Sequence, residues 1–270
     1  MSGVSLQQIL DQLKAGPVTK NKYAITGLAL AGGIPLLSYA ISSYRGWRAL
    51  GRGGLPPNIF GWLINVALRP LSRSDTRAPA PYTLESLEAV WGPAGRQSFF
   101  EGKLPPARSG ARPEVPTYVA PQRQTTEQGA PAMLERMERY LAALTAANPS
   151  LFQSRPSRLE GPYHDAVWLA DGVAVPAFLK GTKGEIMHPH DDGSTHAVLS
   201  LWDASRAIEL GWAERHKLSG AVGGAIPWGY VFIYAPRNED EFDSWKSFIL
   251  AAARFNAASV GSTSVQAPDL

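Results

Sequence analysis

Apolar positions fall into a few distinct patterns along this chain. Ala24 to Ile41 carries no charge over 18 positions. Lys20 and Lys22 precede it, and Tyr44, Arg45, Trp47, Arg48 and Arg52 follow. An uncharged apolar run edged by basic and aromatic residues predicts a membrane-anchor helix with interfacial flanks. The run is short for a span, and Gly32, Gly33 and Pro35 interrupt it. A secretory signal peptide and a buried soluble helix are the competing readings. A second stretch, Ile59 to Leu68, is too short to span. It predicts an amphipathic helix that either lies in the membrane interface, with Arg69 and Arg73 toward head groups, or packs on the folded domain.

From Ala78 to Pro131 nine irregularly spaced prolines forbid long helices and central strands. One short helix, Thr83 to Trp91, is expected there; the rest is a wrapping segment or a linker. Ala132 to Ala147 then places Met133, Met137, Tyr140, Leu141 and Leu144 at helical spacing. Strands are expected over Asp165–Leu169, Val173–Phe178, His196–Leu201 and Tyr230–Ala235, with Asp171-Gly172 as a hairpin turn between the first two. A short helix over Ala204–Leu210 stops at Gly211. Asn238 caps a last helix reaching about Asn256, with Glu241 placed as in a capping box. This order predicts an α+β fold, an antiparallel sheet with flanking helices preceded by the N-terminal membrane-anchor helix. Four parts follow: residues 1–77 as anchor and interfacial helix, 78–131 as the proline-rich segment, 132–257 as the catalytic domain, and 258–270 as a disordered tail.

Composition is globular, 44% hydrophobic and 18% charged, with 26 Lys+Arg against 23 Asp+Glu. The surplus of +3 sits largely in the N-terminal half, which suits an anionic membrane surface. Arg69, Arg73 and Arg77 after the anchor favour a cytoplasmic C-terminal domain on an endoplasmic reticulum or other internal membrane. No dense basic run is interleaved with aromatics at a recognisable spacing, so no nucleic-acid partner is expected. The absence of cysteine excludes disulfides, thiolate nucleophiles and zinc-thiolate sites. Gly220 to Gly224 lacks the strand–helix context of a nucleotide loop.

The chemistry concentrates in the histidines. Of five in the chain, His188, His190, His196 and His216 fall close together. If the segment is extended, alternation puts His188 and His190 on one face, with Pro189 at a strand edge or end. Asp191-Asp192-Gly193-Ser194 is a turn, and His196 returns alongside the pair. Three imidazoles suit a Zn, Fe or Cu site, metal-free acid–base work, or a purely structural role. Glu185 has the wrong parity to join His188 and His190 as a ligand. Arg237, at a helix start, and Arg215 are candidates to hold an anionic oxygen, with structural ion pairs as the alternative.

Four segments in order, Gly184-Glu-Ile-Met-His-Pro-His-Asp191, Thr195-His-Ala-Val-Leu199, Gly211-Trp-Ala-Glu-Arg-His216 and Tyr234-Ala-Pro-Arg-Asn-Glu239, resemble the fungal luciferase family. The resemblance is firm over about residues 180–245. It implies a small membrane-associated oxygenase that uses O2 and no other cofactor, acting on a hydroxylated styryl-α-pyrone or a related acidic enol through a cyclic peroxide that loses CO2. His188, His190 or His196 would be the base. Arg237 or Arg215 would hold the oxyanion. Asp191, Trp212, His216, Trp228 and Tyr230 would line the small-molecule site. A metal at the histidines remains an alternative, as do isomerase or cyclase chemistry and a non-enzymatic binding module. The loop departs from the family pattern: Asp191-Asp192-Gly193 stands where the luciferases carry an additional histidine.

Overall fold

The computed structural model describes residues 18–262 and 264–269, with side chains from residue 31 onward, Val222 excepted. The chain forms two compact units divided after Ala49. The first contains a single described helix, α1 (Val18–Ala49), with Pro35 inside it. Its Ile34, Leu36, Leu37, Tyr39 and Ile41 are exposed. The membrane anchor expected over residues 24–41 falls partly outside the described side chains. Among the described residues no helix is long and apolar enough to cross a membrane. The described half of the run contains Gly32, Gly33, Pro35, Ser38 and Tyr39, which dilute its apolar character. The transmembrane helix is therefore unsupported.

The second unit is built on one antiparallel sheet. Before the sheet come α2 (Ile59–Leu68), α3 (Leu84–Trp91) and α4 (Pro131–Ala147). The strands are β1 (Phe152–Ser157), β2 (Gly161–Leu169), β3 (Glu185–Pro189), β4 (Thr195–Val198), β5 (Ala213–Arg215) and β6 (Tyr230–Ile233), in the order β1-β2-β3-β4-β6-β5. Two further helices are α5 (Leu201–Glu209), between β4 and β5, and α6 (Glu239–Ala258), after β6. The expected α+β class with flanking helices is present.

Register decides the two faces. His188 pairs with His196, and His196 with Phe232, so these three share a face. Their neighbours Met187, Ala197, Thr195, Val231 and Ile233 share the other. The second face is covered by α6 and α4. Trp245 Nε1 donates to Thr195 Oγ1 at 3.0 Å, and Tyr140 of α4 packs edge-on against Trp245 with ring centres 5.9 Å apart. Trp245, Phe248, Ile249 and Phe255 of α6 are fully buried. Burying each such side chain stabilises the fold by roughly 1.5–3 kcal/mol, so this stripe is a main source of stability. Asn238 caps α6 by accepting from the Glu241 N–H at 3.0 Å. The Glu241 carboxylate turns instead to Arg237, so the expected box is half formed.

The histidine face is covered by irregular chain. Gln124 N–H donates to Asp192 Oδ2 at 2.7 Å, Gln122 Nε2 to Glu214 Oε1 at 3.2 Å, and the Val119 N–H to Asn65 Oδ1 at 2.7 Å. Residues 50–130 thus wrap the sheet, one of the two roles read from the prolines.

Local differences have simple causes. The strand expected at Val173–Phe178 is absent; Ala177–Leu179 is a 3-10 turn. Gly172 does turn the chain, at φ +87°, but β2 pairs with β1 and β3. Strand β1 (FQSRPS) has Pro156 and a polar pattern that hid it, and β5 has only three residues. Beyond α6, Gln266 exchanges hydrogen bonds of 2.9 and 2.8 Å with Asn148.

Candidate functional site

The β3–β4 hairpin creates the cluster. Pro189 ends β3, His190 N–H bonds Ser194 C=O at 2.9 Å, and Gly193 turns at φ +80°. Any Cβ at Gly193 would meet Gly129 backbone at 3.0 Å, so the turn needs glycine for its fit as well as its conformation. The hairpin brings the ring centres of His188 and His190 to 5.1 Å, of His188 and His196 to 5.4 Å, and of His190 and His196 to 4.8 Å. All three rings are buried. Tyr230 stacks on His196 at 4.5 Å and Phe232 on His190 at 5.8 Å.

Hydrogen bonds assign each ring's proton. His188 Nδ1 lies 2.6 Å from Glu185 Oε1. That carboxylate also accepts from Ser157 Oγ at 2.6 Å and from the N–H groups of Arg158 and Leu159 at 2.8 and 3.2 Å. Burial alone would raise the Glu185 pKa; contact with His188 and the other donors brings it below the usual value. It is an ionised acceptor, so His188 donates through Nδ1 and leaves Nε2 bare. Ser194 Oγ donates to Asp192 Oδ1 at 2.5 Å and therefore accepts from His190 Nδ1 at 2.8 Å. His196 Nδ1 donates to Val231 C=O at 3.2 Å. Three imidazoles thus each have Nδ1–H tied to a fixed partner and Nε2 free to act as base or ligand. His216 is the reverse: its Nδ1 accepts from Leu218 N–H at 3.0 Å, so its proton is on Nε2.

Burial pushes the pKa values of His190 and His196 well below the ordinary value, helped by Arg123 near the first and His216 near the second. His216 is lowered to about 3, first by burial and then by His188 and Lys217. His190, His196 and His216 are therefore uncharged at neutral pH. Burial raises Tyr230 well above the ordinary phenol, with Glu185 adding to the shift.

Two residues join the site that sequence reading did not single out. Glu160, in the turn between β1 and β2, places Oε2 4.0 Å from His188 Nε2 and 3.9 Å from His190 Nε2. Arg123, from the wrapping segment, pairs with Glu160 and donates to the Gln122 and Arg52 carbonyls at 2.8 and 2.7 Å. Neither lies near the histidines in sequence, and no motif marks them.

The other expected residues scatter. Asp191 is exposed and pairs with His164 Nε2 at 3.0 Å, while Asp192 is the buried one. Arg237 is engaged by Glu241, Glu127 and the Ser109 carbonyl. Arg215 donates to the carbonyls of Trp228 and Pro79. Neither guanidinium bonds an imidazole. Trp212 is buried and donates to Pro106 C=O at 2.7 Å; Trp228 packs against Tyr82 and Arg73. Of the predicted set, His188, His190, His196, His216 and Tyr230 come together.

A cavity of about 210 Å³ lined by Gly53, Gly54, Leu55, Arg158, Glu160 and Tyr163 opens beside Glu160. A larger one of about 670 Å³ lies between α4 and β2, lined by Glu138, Arg139, Tyr163, Asp165 and Pro189. No imidazole lines either cavity; the smaller one has in its wall Glu160, whose carboxylate lies 4.0 Å from His188 Nε2 and 3.9 Å from His190 Nε2.

Residues 183–253 match the luciferase domain family. A luciferase of Armillaria mellea is 31% identical over 234 residues, covering 81% of this chain and 82% of that one. One of Armillaria gallica is 30% identical over 231 residues, covering 81% of each. One of Neonothopanus nambi is 26% identical over 245 residues, covering 88% of each. No solved structure matches the chain. The match extends well beyond the histidine hairpin to take in the wrapping segment that closes over it, and the chain belongs to the fungal luciferase family.

Proposed function

We propose that the protein is an O2-dependent oxygenase of the luciferase type acting on a small acidic enol, a hydroxy-α-pyrone or related polyketide phenol. The observation that carries this reading is the buried set of imidazoles with Nδ1 tied down and Nε2 bare. His196 is the proton acceptor: its ring is held by Val231 C=O and stacked on Tyr230. The enol O–H gives its proton to His196 Nε2. The enolate passes one electron to O2, and the two radicals combine in a C–O bond. The substrate carbon is then oxidised by two electrons, O2 is reduced to a peroxide, and the proton returns from His196 to the distal oxygen. Arg123, whose charge acts on His190 and His196, takes the place read from sequence for Arg237 or Arg215 in stabilising the developing negative charge. Substrate enters beside Glu160. The 210 Å³ opening there is below the roughly 300–1,000 Å³ of small-molecule sites, so the strap over residues 53–57 moves aside on binding.

The test is oxygen uptake by the full chain with a panel of hydroxy-α-pyrones, photon counting being recorded separately. His196→Gln is expected to lower turnover about 100-fold or more, the scale of a lost general base. Undiminished uptake in that variant removes the assigned base. No uptake across the panel removes the oxygenase reading.

We also propose that the chain works at a membrane surface. Exposed Phe60, Leu63, Ile64 and Leu71 on and after α2 support this, as do the exposed apolar residues of α1 with Arg45 and Arg48 nearby. The chain is expected to float with vesicles containing anionic lipid. Phe60→Ser with Leu63→Ser should weaken that recovery, and equal recovery by the variant would count against the α2 face.

A further inference from the structure

We infer that Glu160, His188 and His190 form a binding site for one divalent first-row transition-metal ion. One ligand atom from each of these residues lies within 4.8 Å of the others, and all three side chains are buried. His190 Nε2 is a buried nitrogen with no hydrogen-bond partner, and it points at Glu160 Oε2 from 3.9 Å. That separation is too long for a hydrogen bond and leaves the nitrogen's lone pair unused. A point equidistant from the three ligand atoms is at most about 2.5 Å from each, so an ion needs a contraction of about 0.4 Å per ligand to reach bonds of about 2.1 Å.

The surroundings match what an ion requires. A ligating imidazole must be neutral, with its other nitrogen donating to a fixed acceptor. His188 donates to Glu185, and His190 donates to Ser194, which is backed by Asp192. Glu160, Glu185 and Asp192 put three carboxyl groups around the rings against the single guanidinium of Arg123. Two imidazoles and one carboxylate suit iron(II), manganese(II) or zinc(II) and leave coordination positions open for a substrate oxygen. Glu185 is thus a positioning residue. Parity on a straight strand turns it away from His188, but at the irregular β2–β3 pairing its carboxylate reaches His188 Nδ1. Glu160 supplies the ligand carboxylate.

The ion does not displace the proposed base, because His196 lies outside the three-atom set. Binding therefore stands apart from the oxygenase reading; only the ion's part in turnover rests on it.

The experiment strips the full chain with a chelator, loads it separately with Zn²⁺, Mn²⁺ or, without oxygen, Fe²⁺, and measures bound metal after desalting. About one ion per chain is expected with at least one of the three. Glu160→Gln and His190→Gln should each raise the dissociation constant at least 100-fold, Ser194→Ala about 10-fold, and His164→Gln should leave it unchanged. Circular dichroism of the metal-free variants separates lost ligands from lost folding. Should either variant fail to fold, the wild-type stoichiometry decides alone. Less than about 0.1 ion per wild-type chain with all three metals overturns the site, as does unchanged affinity in folded Glu160→Gln. Oxygen uptake is a separate readout: an ion bound without turnover keeps the site and removes the oxygenase reading.

Discussion

Acid should unfold this protein at unusually mild pH, and His216 shows why. Its folded-state pKa is about 3 because the ring is buried beside other imidazoles and Lys217, whereas the unfolded chain has an ordinary histidine near 6.5. Between those values the unfolded state holds a proton that the native state refuses. Stability is therefore complete above about pH 6.5 and falls as pH drops toward 3. One such group costs about 1.4 kcal/mol per pH unit across that window and about 5 kcal/mol in total. His190 and His196 are shifted in the same direction, so the three together give a slope near 4 kcal/mol per unit. Total stability of a domain is only about 5–15 kcal/mol, so two units of acidification remove much or all of it. The assay is urea unfolding of chelator-treated protein at steps from pH 7.5 to 5, a range above the titration of ordinary carboxylates. His216→Gln should lower the slope by about 1.4 kcal/mol per unit. Stability that stays level from pH 7 to 5 would refute the buried, neutral state of these rings.

Two substitutions test the cover over the histidine face. Gly53→Ala puts a Cβ 2.1 Å from Glu160 Oε1 and 2.5 Å from Arg123 Nη2, at φ +133°. The backbone strain alone costs about 1–3 kcal/mol, and the displaced Glu160 should weaken metal retention in the same variant. A melting temperature and metal content equal to wild type would show that the strap does not press on Glu160. Asn65→Ala removes the acceptor of the buried Val119 N–H and of the more distant Ala120 N–H. A loss of about 1–3 kcal/mol is expected in urea unfolding with an unchanged denaturant slope, and a loss under 0.5 kcal/mol would mean that water takes the place of the side chain.

What the sequence revealed depended on whether one strand or several were needed. Alternation within a single segment placed His188 and His190 together, and a short turn returned His196 to them; the register His188 to His196 bears this out. The long amphipathic helices were equally legible, because α4 and α6 carry apolar stripes over many turns. Strand β5 was not, since three residues set no period. Glu160 was invisible for a different reason. It reaches the imidazoles only because the β1–β2 turn folds over the end of β3, a pairing set by the whole sheet and interrupted by an irregularity at Val167 and Trp168. Arg123 arrives from an irregular segment with no periodicity to read.

The same geometry explains why two of the four family-like segments contribute no group to the cluster except His216 and a nearby strand. Gly211 to His216 and Tyr234 to Glu239 hold the wrapping chain in place. Glu214 accepts from Gln122 and from Arg77, and Trp212 donates to Pro106. Arg215 reaches Pro79, and Arg237 reaches Ser109 and Glu127. Each anchor lies between residues 76 and 128, the stretch whose Gln124 and Arg123 close over Asp192 and Glu160. A proline-rich chain forms few backbone hydrogen bonds of its own, so its position must come from side chains elsewhere. Arg237 and Arg215, read from sequence as holders of an anionic oxygen or as structural groups, bond the covering chain in this structure. Removing either should loosen the cover before it alters the chemistry, and the loss would appear as easier proteolysis within residues 76–128 at a stage when the sheet and its imidazoles are still intact.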